Sequence, residues 1–543
     1  MNETALHARF LRGLAISPGR AAIRFGAGSL TYQQLHELAL RWAGALLAGL
    51  PERPRAVGVL AAKGTESYAG LLAVLYAGAT VVPLHPAFPV ARTRRMLEAA
   101  GVSALIADAA GLAVAAELAA AGLDLPVLAP GPGARPGPGT GAAGPWRPRA
   151  IPVTGGTELD EPRPAGASDV AYVLFTSGST GRPKGVPITH GNTHHYFGLL
   201  DRRYDFGPDD VFSQTFDLNF DCAMFDLFCA WGAGATVRTV PAPAYRDLPR
   251  FLAEHGLTVW FSTPSAISLV RRMGGLAPGA MPALRWSLFA GEALQAADAA
   301  GWQAAAPRSV VENIYGPTEL TVTVSGHRWC PDTSPGLCVN GLVPIGRVHD
   351  GHDHVLLAPG GGGDGGAAPV EGELCITGPQ LAAGYLDPDD DRGRFVRRDG
   401  RTWYRTGDRV RRLPDGQLVY LGRLDSQVQV QGLRVELAEI EHALRGCAGV
   451  ADAVAVTRPA EDGLALVVFY TGPSAVRPAE LAAQLRRILP AGMLPREYRH
   501  LAEFPLNTNR KVDRSALAIA ATGRPADRGD CGGVGVLAAP AAG

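Results

Sequence analysis

Residues 171–190 read AYVLFTSGSTGRPKGVPITH, an apolar run that breaks into a loop of Thr, Ser and Gly closed by Arg182-Pro183-Lys184-Gly185. Between Thr176 and Gly185 this loop offers four hydroxyls, the free backbone N–H groups of three glycines, and one lysine. Those are the parts of a phosphate cradle. Composition alone also fits a plain surface loop between two periodic segments. The order differs from the P-loop, in which a Lys-Ser/Thr pair follows the last glycine and opens a helix. Here Lys184 stands between Pro183 and Gly185-Val186-Pro187, so a phosphate held by this loop would be held in another fold.

On both sides of the loop, short apolar strand-like runs alternate with longer helical patterns, which is the signature of βαβ units and a mostly parallel sheet. The strands expected are 55–64, 79–86, 102–109 and 257–265; the segments 65–78 and 89–101 carry apolar residues at helical spacing. An α/β layered architecture follows. At 543 residues the chain exceeds the roughly 250–300 at which a single core stops growing, so two or more domains are expected. Two Gly/Pro-rich stretches, 128–149 and 359–369, cannot pack a core and read as loop insertions.

From Val410 to Glu441 the character changes. A hairpin signal with a Pro-Asp-Gly turn gives way to a short helix, two further strands and a helix at 478–490, a compact α+β unit. The boundary is placed at Leu424–Asp425: residues 1–424 form the core, 425–521 a second domain, and 522–543 a disordered Gly/Ala/Pro tail.

Lys plus Arg equals Asp plus Glu at 51 each, so no overall field draws the protein to nucleic acid or to an anionic membrane. Seven scattered cysteines without a C-x-x-C pair suggest neither a disulfide framework nor a zinc site. The N-terminus lacks the basic and apolar regions of a signal peptide, and no window reaches the roughly 18 apolar residues of a membrane span. The expectation is a cytoplasmic protein with no nucleic-acid or membrane partner.

Three further motifs follow the opening loop in order: NIYGPTELTV (313–322), YRTGDRVRR (404–412) and PLNTNRKVDR (505–514). Each alone has a structural reading as a turn, a hairpin or a polar loop. Together with TSGSTGRPKG they resemble the adenylate-forming superfamily, over about Thr31 to Leu517. Within it the chain looks like the amino-acid-activating branch: nonribosomal peptide synthetase adenylation domains and free-standing D-alanyl carrier-protein and prolyl-AMP ligases. The fold this implies is α/β: a large N-terminal domain of two layered subdomains plus a β-barrel subdomain, carrying a small mobile α+β C-terminal domain.

The resemblance implies roles motif by motif. Thr176, Ser177, Gly178, Ser179, Thr180 and Lys184 would contact the β- and γ-phosphates of ATP, where several donors plus a cation suit a polyanionic leaving group. Tyr315 would stack on adenine, Asn313 bond its amino edge, Thr318 touch the α-phosphate and Glu319 hold Mg²⁺, a cation that prefers hard oxygen ligands. The backbone of Gly291, Glu292 and Ala293 would line the adenine pocket. Asp408 would accept from both ribose hydroxyls, as an acceptor-only carboxylate suits a diol, and Arg423 would contact ribose and phosphate. Lys511 would span the substrate carboxylate and the α-phosphate, offsetting the repulsion between two anions. Asp425 matches the hinge about which the second domain rotates.

In TFDLNFDCAMFDLFCAW (215–231) the resemblance places Asp221 against a substrate α-ammonium, with Asp226 outside the pocket. The remaining pocket positions are Cys222, Phe225, Phe261, Leu288, Ala290, Ile314, Val322 and Thr323. None of these eight carries a charge, so a small neutral amino acid is expected: alanine or glycine first, proline second, valine or isoleucine third. One methylene is worth only roughly 1–3 kcal/mol of discrimination, so overlap is expected. The implied chemistry is formation of aminoacyl-AMP and pyrophosphate, then transfer to the phosphopantetheine thiol of a separate carrier protein. The family's Lys-x-Arg-Gly after the hinge is Gln429-Val430-Gln431-Gly432, Arg510 replaces a glycine before Lys511, and His85 stands where an aspartate is usual. An acyl- or aryl-CoA ligase and a non-catalytic nucleotide-binding protein are the alternatives.

Overall fold

The computed structural model describes residues 3–130, 148–178, 181–358, 369–460, 463–506, 510 and 512–523. Ser179, Thr180 and Lys511, and most of the two expected loop insertions and of the tail, lie outside the described residues. The expected strands form at Ala56–Leu60, Thr80–Leu84, Val102–Ala107 and Val259–Ser262, and the two expected helices at Thr65–Tyr76 and Val90–Ala99.

Two sheets carry the first 350 residues. The first has six strands in the order Val127–Leu128, Val102–Ala107, Ala56–Leu60, Thr80–Leu84, Val170–Thr176 and Lys184–Thr189, all parallel except the last. Lys184 therefore opens an antiparallel edge strand, where a P-loop lysine opens a helix. The second has nine strands and includes the parallel run Val211–Gln214, Val259–Ser262, Trp286–Phe289 and Val310–Tyr315. Alternation along these strands sorts side chains into two cores. Phe261, Leu288 and Ile314 face one, while Trp260, Phe289 and Val311 face the other. The apolar helix Cys222–Ala233 is buried in the first core, which explains why its sequence shows almost no polar stripe.

A five-stranded antiparallel sheet follows, with the long strand Arg401–Arg412 pairing Glu371–Thr377 on one edge and Phe395–Arg398 and Leu418–Arg423 on the other. After Asp425 come a two-stranded hairpin, Gln427–Val430 with Leu433–Glu436, then the helix Leu437–Arg445 and a three-stranded sheet. The hairpin turns on Gln431 (φ 51°) and Gly432 (φ 79°), both left-handed, as a two-residue type I′ connection requires. Two cores are built wholly from residues 428–521. The helix Arg514–Thr522 reaches the first residue of the expected tail. The six described cysteines are free thiols. Among the described residues no helix is long and apolar enough to cross a membrane.

Candidate functional site

The site lies where the parallel strands end. Their C-terminal ends release Thr263, Ala290-Gly291-Glu292 and Gly316–Glu319, and the strand Val170–Thr176 of the other sheet releases Ser177 and Gly178. Crevices beyond the carboxyl ends of such strands are where open α/β sheets bind ligands. The hairpin 427–436 closes over this crevice and binds both sides of it. Ser177 Oγ donates to the Arg434 carbonyl (2.8 Å) and accepts from the Glu436 N–H (3.2 Å). Arg434 Nη1 reaches both oxygens of Glu319, at 2.8 and 3.2 Å. Glu292 bridges the Ser265 N–H (2.8 Å) and the Gly432 N–H (2.6 Å). A Cβ on Gly432 would stand 2.4 Å from Thr263 Cγ2, so glycine is needed there for space as well as for conformation. A further ion pair between buried side chains, Arg92 with Glu439, ties the helix Val90–Ala99 to the helix Leu437–Arg445.

Glu319 is fully buried, yet Arg434 and a hydrogen bond from the Tyr385 hydroxyl (2.5 Å) hold its carboxyl down to about 2 against the upward push of that burial. Burial pushes Asp221 up to about 6, against hydrogen bonds from Thr318 and Cys222 that pull it down. Asp221 therefore lies close enough to Thr318 to be influenced by it. Asp226, one turn on, is fully buried beside Lys63 and driven toward its neutral form, in the core rather than the crevice.

The apolar positions expected around the amino acid side chain come together. Phe225, Phe261, Leu288, Ala290, Ile314 and Val322 share one core, with Cys222 packed against it. The rings of Phe225 and Phe261 stand 5.0 Å apart, and Phe216, absent from the sequence reading, packs on Phe261 at 4.9 Å. Thr323 is anchored through its hydroxyl to Tyr196 (3.0 Å).

At the other end, Tyr315 donates to Asp408 Oδ2 (2.5 Å) and Arg423 to Asp408 Oδ1 (2.7 Å). Burial raises the Asp408 carboxyl in spite of both. Arg423 is also bidentate to Asp425, which receives Arg394 as well (2.7 Å). The side-chain N–H groups of Asn313 are used by the Val343 and Pro344 carbonyls, leaving its amide oxygen as the face for an amino donor. Gly291 is left-handed (φ 85°), and it and Ala293 are exposed at the rim. Lys184 does not point into an open cradle: its ammonium lies 3.7 Å from Asp390 and 5.3 Å from the Tyr385 ring centre. Arg434 and Tyr385 were missed in the sequence; no local signal marks either, because each acts on Glu319 from a distant segment.

Comparison with known proteins accounts for this arrangement. The family model for AMP-binding enzymes matches residues 11–386, and that for the AMP-binding enzyme C-terminal domain matches 439–511. An L-proline–L-prolyl-carrier-protein ligase of Pseudomonas fluorescens is 31% identical over 94% of this chain and 98% of its own. The solved structure of IdnL7 is 57% identical, with a TM-score of 0.72 over 96% of this chain and 99% of that one. The Vibrio cholerae adenylation domain AlmE, solved with glycyl-adenosine-5'-phosphate, is 27% identical, with a TM-score of 0.81 over 95% of this chain and 98% of that one. Other curated relatives are far longer, and this chain spans 8–43% of the length of three of them. The loop–crevice–hairpin arrangement is therefore that of an ATP-using, adenylate-forming ligase, and the chain belongs to the AMP-binding enzyme family.

Proposed function

We propose that the protein activates a small neutral amino acid, alanine or glycine first, proline second and valine or isoleucine third, as aminoacyl-AMP. It then passes the aminoacyl group to the phosphopantetheine thiol of a carrier protein. The observation that carries this reading is a single partly buried carboxylate, Asp221, at the edge of an otherwise uncharged pocket. A carboxylate driven toward neutrality by burial gains most when an ammonium arrives, because the ligand supplies the missing counter-charge. Phe225, Phe261, Leu288 and Ile314 belong to the same apolar core, which favours an uncharged and preferably short side chain. The glycyl-adenylate named for AlmE and the proline named for the Pseudomonas ligase are both small neutral amino acids.

In the first half-reaction the amino acid carboxylate attacks the α-phosphorus of ATP and pyrophosphate leaves. Asp221 orients the ammonium, Thr318 contacts the α-phosphate, Asp408 and Arg423 hold the ribose, and Tyr315, Asn313 and Gly291–Ala293 enclose the adenine. Thr176, Ser177, Gly178, Ser179, Thr180 and Lys184 bind the departing phosphates, and Lys511 spans the two reacting anions. Mg²⁺ fits the donor set: Glu319 is one hard carboxylate already placed to receive cationic charge, and magnesium takes its other ligands from phosphate and water. Among the described residues no cluster of three metal-ligating side chains competes with that reading. Bound there, the ion would neutralise charge on the phosphates.

The second half-reaction is attack of a thiol on the adenylate carbonyl, forming the thioester and releasing AMP. We assign the closed hairpin 427–436 to this step, with the connection at Asp425 as boundary and hinge. Amino-acid-dependent ATP–pyrophosphate exchange, followed by transfer of labelled alanine to a phosphopantetheinylated carrier, tests the reading. Exchange that depends on a plain carboxylic acid, with coenzyme A as acceptor, would replace it with an acyl-CoA ligase.

A further inference from the structure

The turn after Glu319 holds an uncommon conformation. Thr321 (φ 55°) and Val322 (φ 68°) are consecutive β-branched residues in the left-handed region, where a branched Cβ clashes with its own backbone. Such a conformation persists only where surrounding groups over-determine it. This turn leads from Glu319 into the pocket residues Val322 and Thr323, so whatever holds it sets where those two stand.

One side chain does most of the holding. Gln380 is completely buried, and its Nε2 lies within hydrogen-bond distance of three consecutive-turn carbonyls: Leu320 (3.0 Å), Thr321 (3.2 Å) and Thr323 (2.9 Å). Two N–H bonds are thus shared among three acceptors. The Gln380 backbone carbonyl in turn accepts from Thr321 Oγ1 (2.7 Å), and two residues on the Ala382 N–H donates to the Glu319 carbonyl (2.9 Å). The strap that carries Gln380 is itself fixed: Asn192 donates to the carbonyls of Pro379 (2.8 Å) and Leu381 (3.2 Å). Asn192 also completes the capping box of the helix His190–Arg203, accepting from the N–H of the N-cap Thr189 (3.0 Å), directly after the strand that opens at Lys184. A continuous set of hydrogen bonds therefore runs from the phosphate-loop hairpin through Asn192 and Gln380 to the pocket.

We infer that Gln380 is a positioning residue for amino acid selection: its amide clamps the strained Thr321–Val322 turn and so sets the depth of the side-chain pocket at Val322 and Thr323. The inference rests on the amino-acid-activating reading. Gln380→Glu tests it, since it keeps the shape while replacing both N–H donors with an oxygen facing three carbonyls. Gln380→Met removes the donors without adding charge. In amino-acid-dependent exchange, both variants should raise KM for alanine at least tenfold and lower the alanine-over-valine ratio of kcat/KM at least fivefold, with KM for ATP within threefold of wild type. Adding Thr321→Gly to Gln380→Met should restore much of the loss, because glycine adopts positive φ without the clamp. Folded variants with unchanged alanine KM and selectivity would overturn the inference. So would a rise in both KM values together, or failure of both variants to fold, since either marks a role in general stability. If the wild-type protein shows no amino-acid-dependent exchange, the functional reading itself fails instead.

Discussion

Replacing Asp221 with asparagine should make the protein more stable and less active at once. Burial lifts this carboxyl from 3.8 to about 6. Each pKa unit is worth about 1.4 kcal/mol, so at neutral pH the folded chain holds an ionised Asp221 at a cost of about 2–3 kcal/mol relative to the unfolded chain. The sign follows from linkage: a carboxyl whose folded pKa is raised lowers stability above that pKa and has no such effect below its unfolded pKa. Asp221→Asn should therefore raise the thermal midpoint at pH 8 by several degrees, and the gain should vanish by pH 4. Over the same interval the wild-type kcat/KM for alanine should fall as pH drops below about 6, because the protonated carboxyl no longer pairs with the ammonium. The variant lacks that pairing at every pH. Loss of one partner of a buried ion pair costs about 3–5 kcal/mol, so its kcat/KM should fall by about two to four orders of magnitude and lose its acid limb. Differential scanning calorimetry between pH 4 and 8 and pyrophosphate exchange between pH 5 and 8 measure the two effects. A variant less stable than wild type at pH 8, or one that retains the alanine KM, would refute the reasoning.

Arg434→Gln leaves Glu319 buried without its cation when the hairpin closes, a penalty of about 3–5 kcal/mol on that arrangement alone. Thioester formation should drop at least about a hundredfold while pyrophosphate exchange stays within a few-fold of wild type; equal loss in both half-reactions would contradict the assignment of the closed hairpin. Lys511→Ala should abolish exchange, whereas Lys184→Ala should weaken it mildly and mainly through KM for ATP, because Lys184 already shares its charge with Asp390. Collapse of both variants to the same level would argue against separating phosphate binding from chemistry at the α-phosphorus.

Much of this was legible along the chain. Apolar runs bounded by turns locate the strands at 56–60, 80–84, 102–107 and 259–262, because strands buried on both faces leave no polar position to blur them. The pocket positions were legible only through the family resemblance; Phe261 and Leu288 do share a face, because they pair in register on neighbouring parallel strands. What stayed hidden is long-range. Arg434 meets Glu319 across 115 residues and Arg92 meets Glu439 across 347, and neither segment carries a local mark of its partner. The type I′ turn at Gln431-Gly432 was unreadable because glutamine is a poor marker of positive φ. The Thr321–Val322 turn was hidden for a related reason: β-branched residues signal strand, and the Gln380 amide that bonds this turn lies 57 residues from Thr323.

The most direct test of the central claim is ATP–pyrophosphate exchange on the full chain with a panel of free amino acids alongside their deaminated counterparts. The account predicts exchange with alanine or glycine, weaker exchange with proline, valine and isoleucine, and almost none with propionate, which has the carboxylate of alanine but no ammonium for Asp221. Exchange with propionate as fast as with alanine would contradict it.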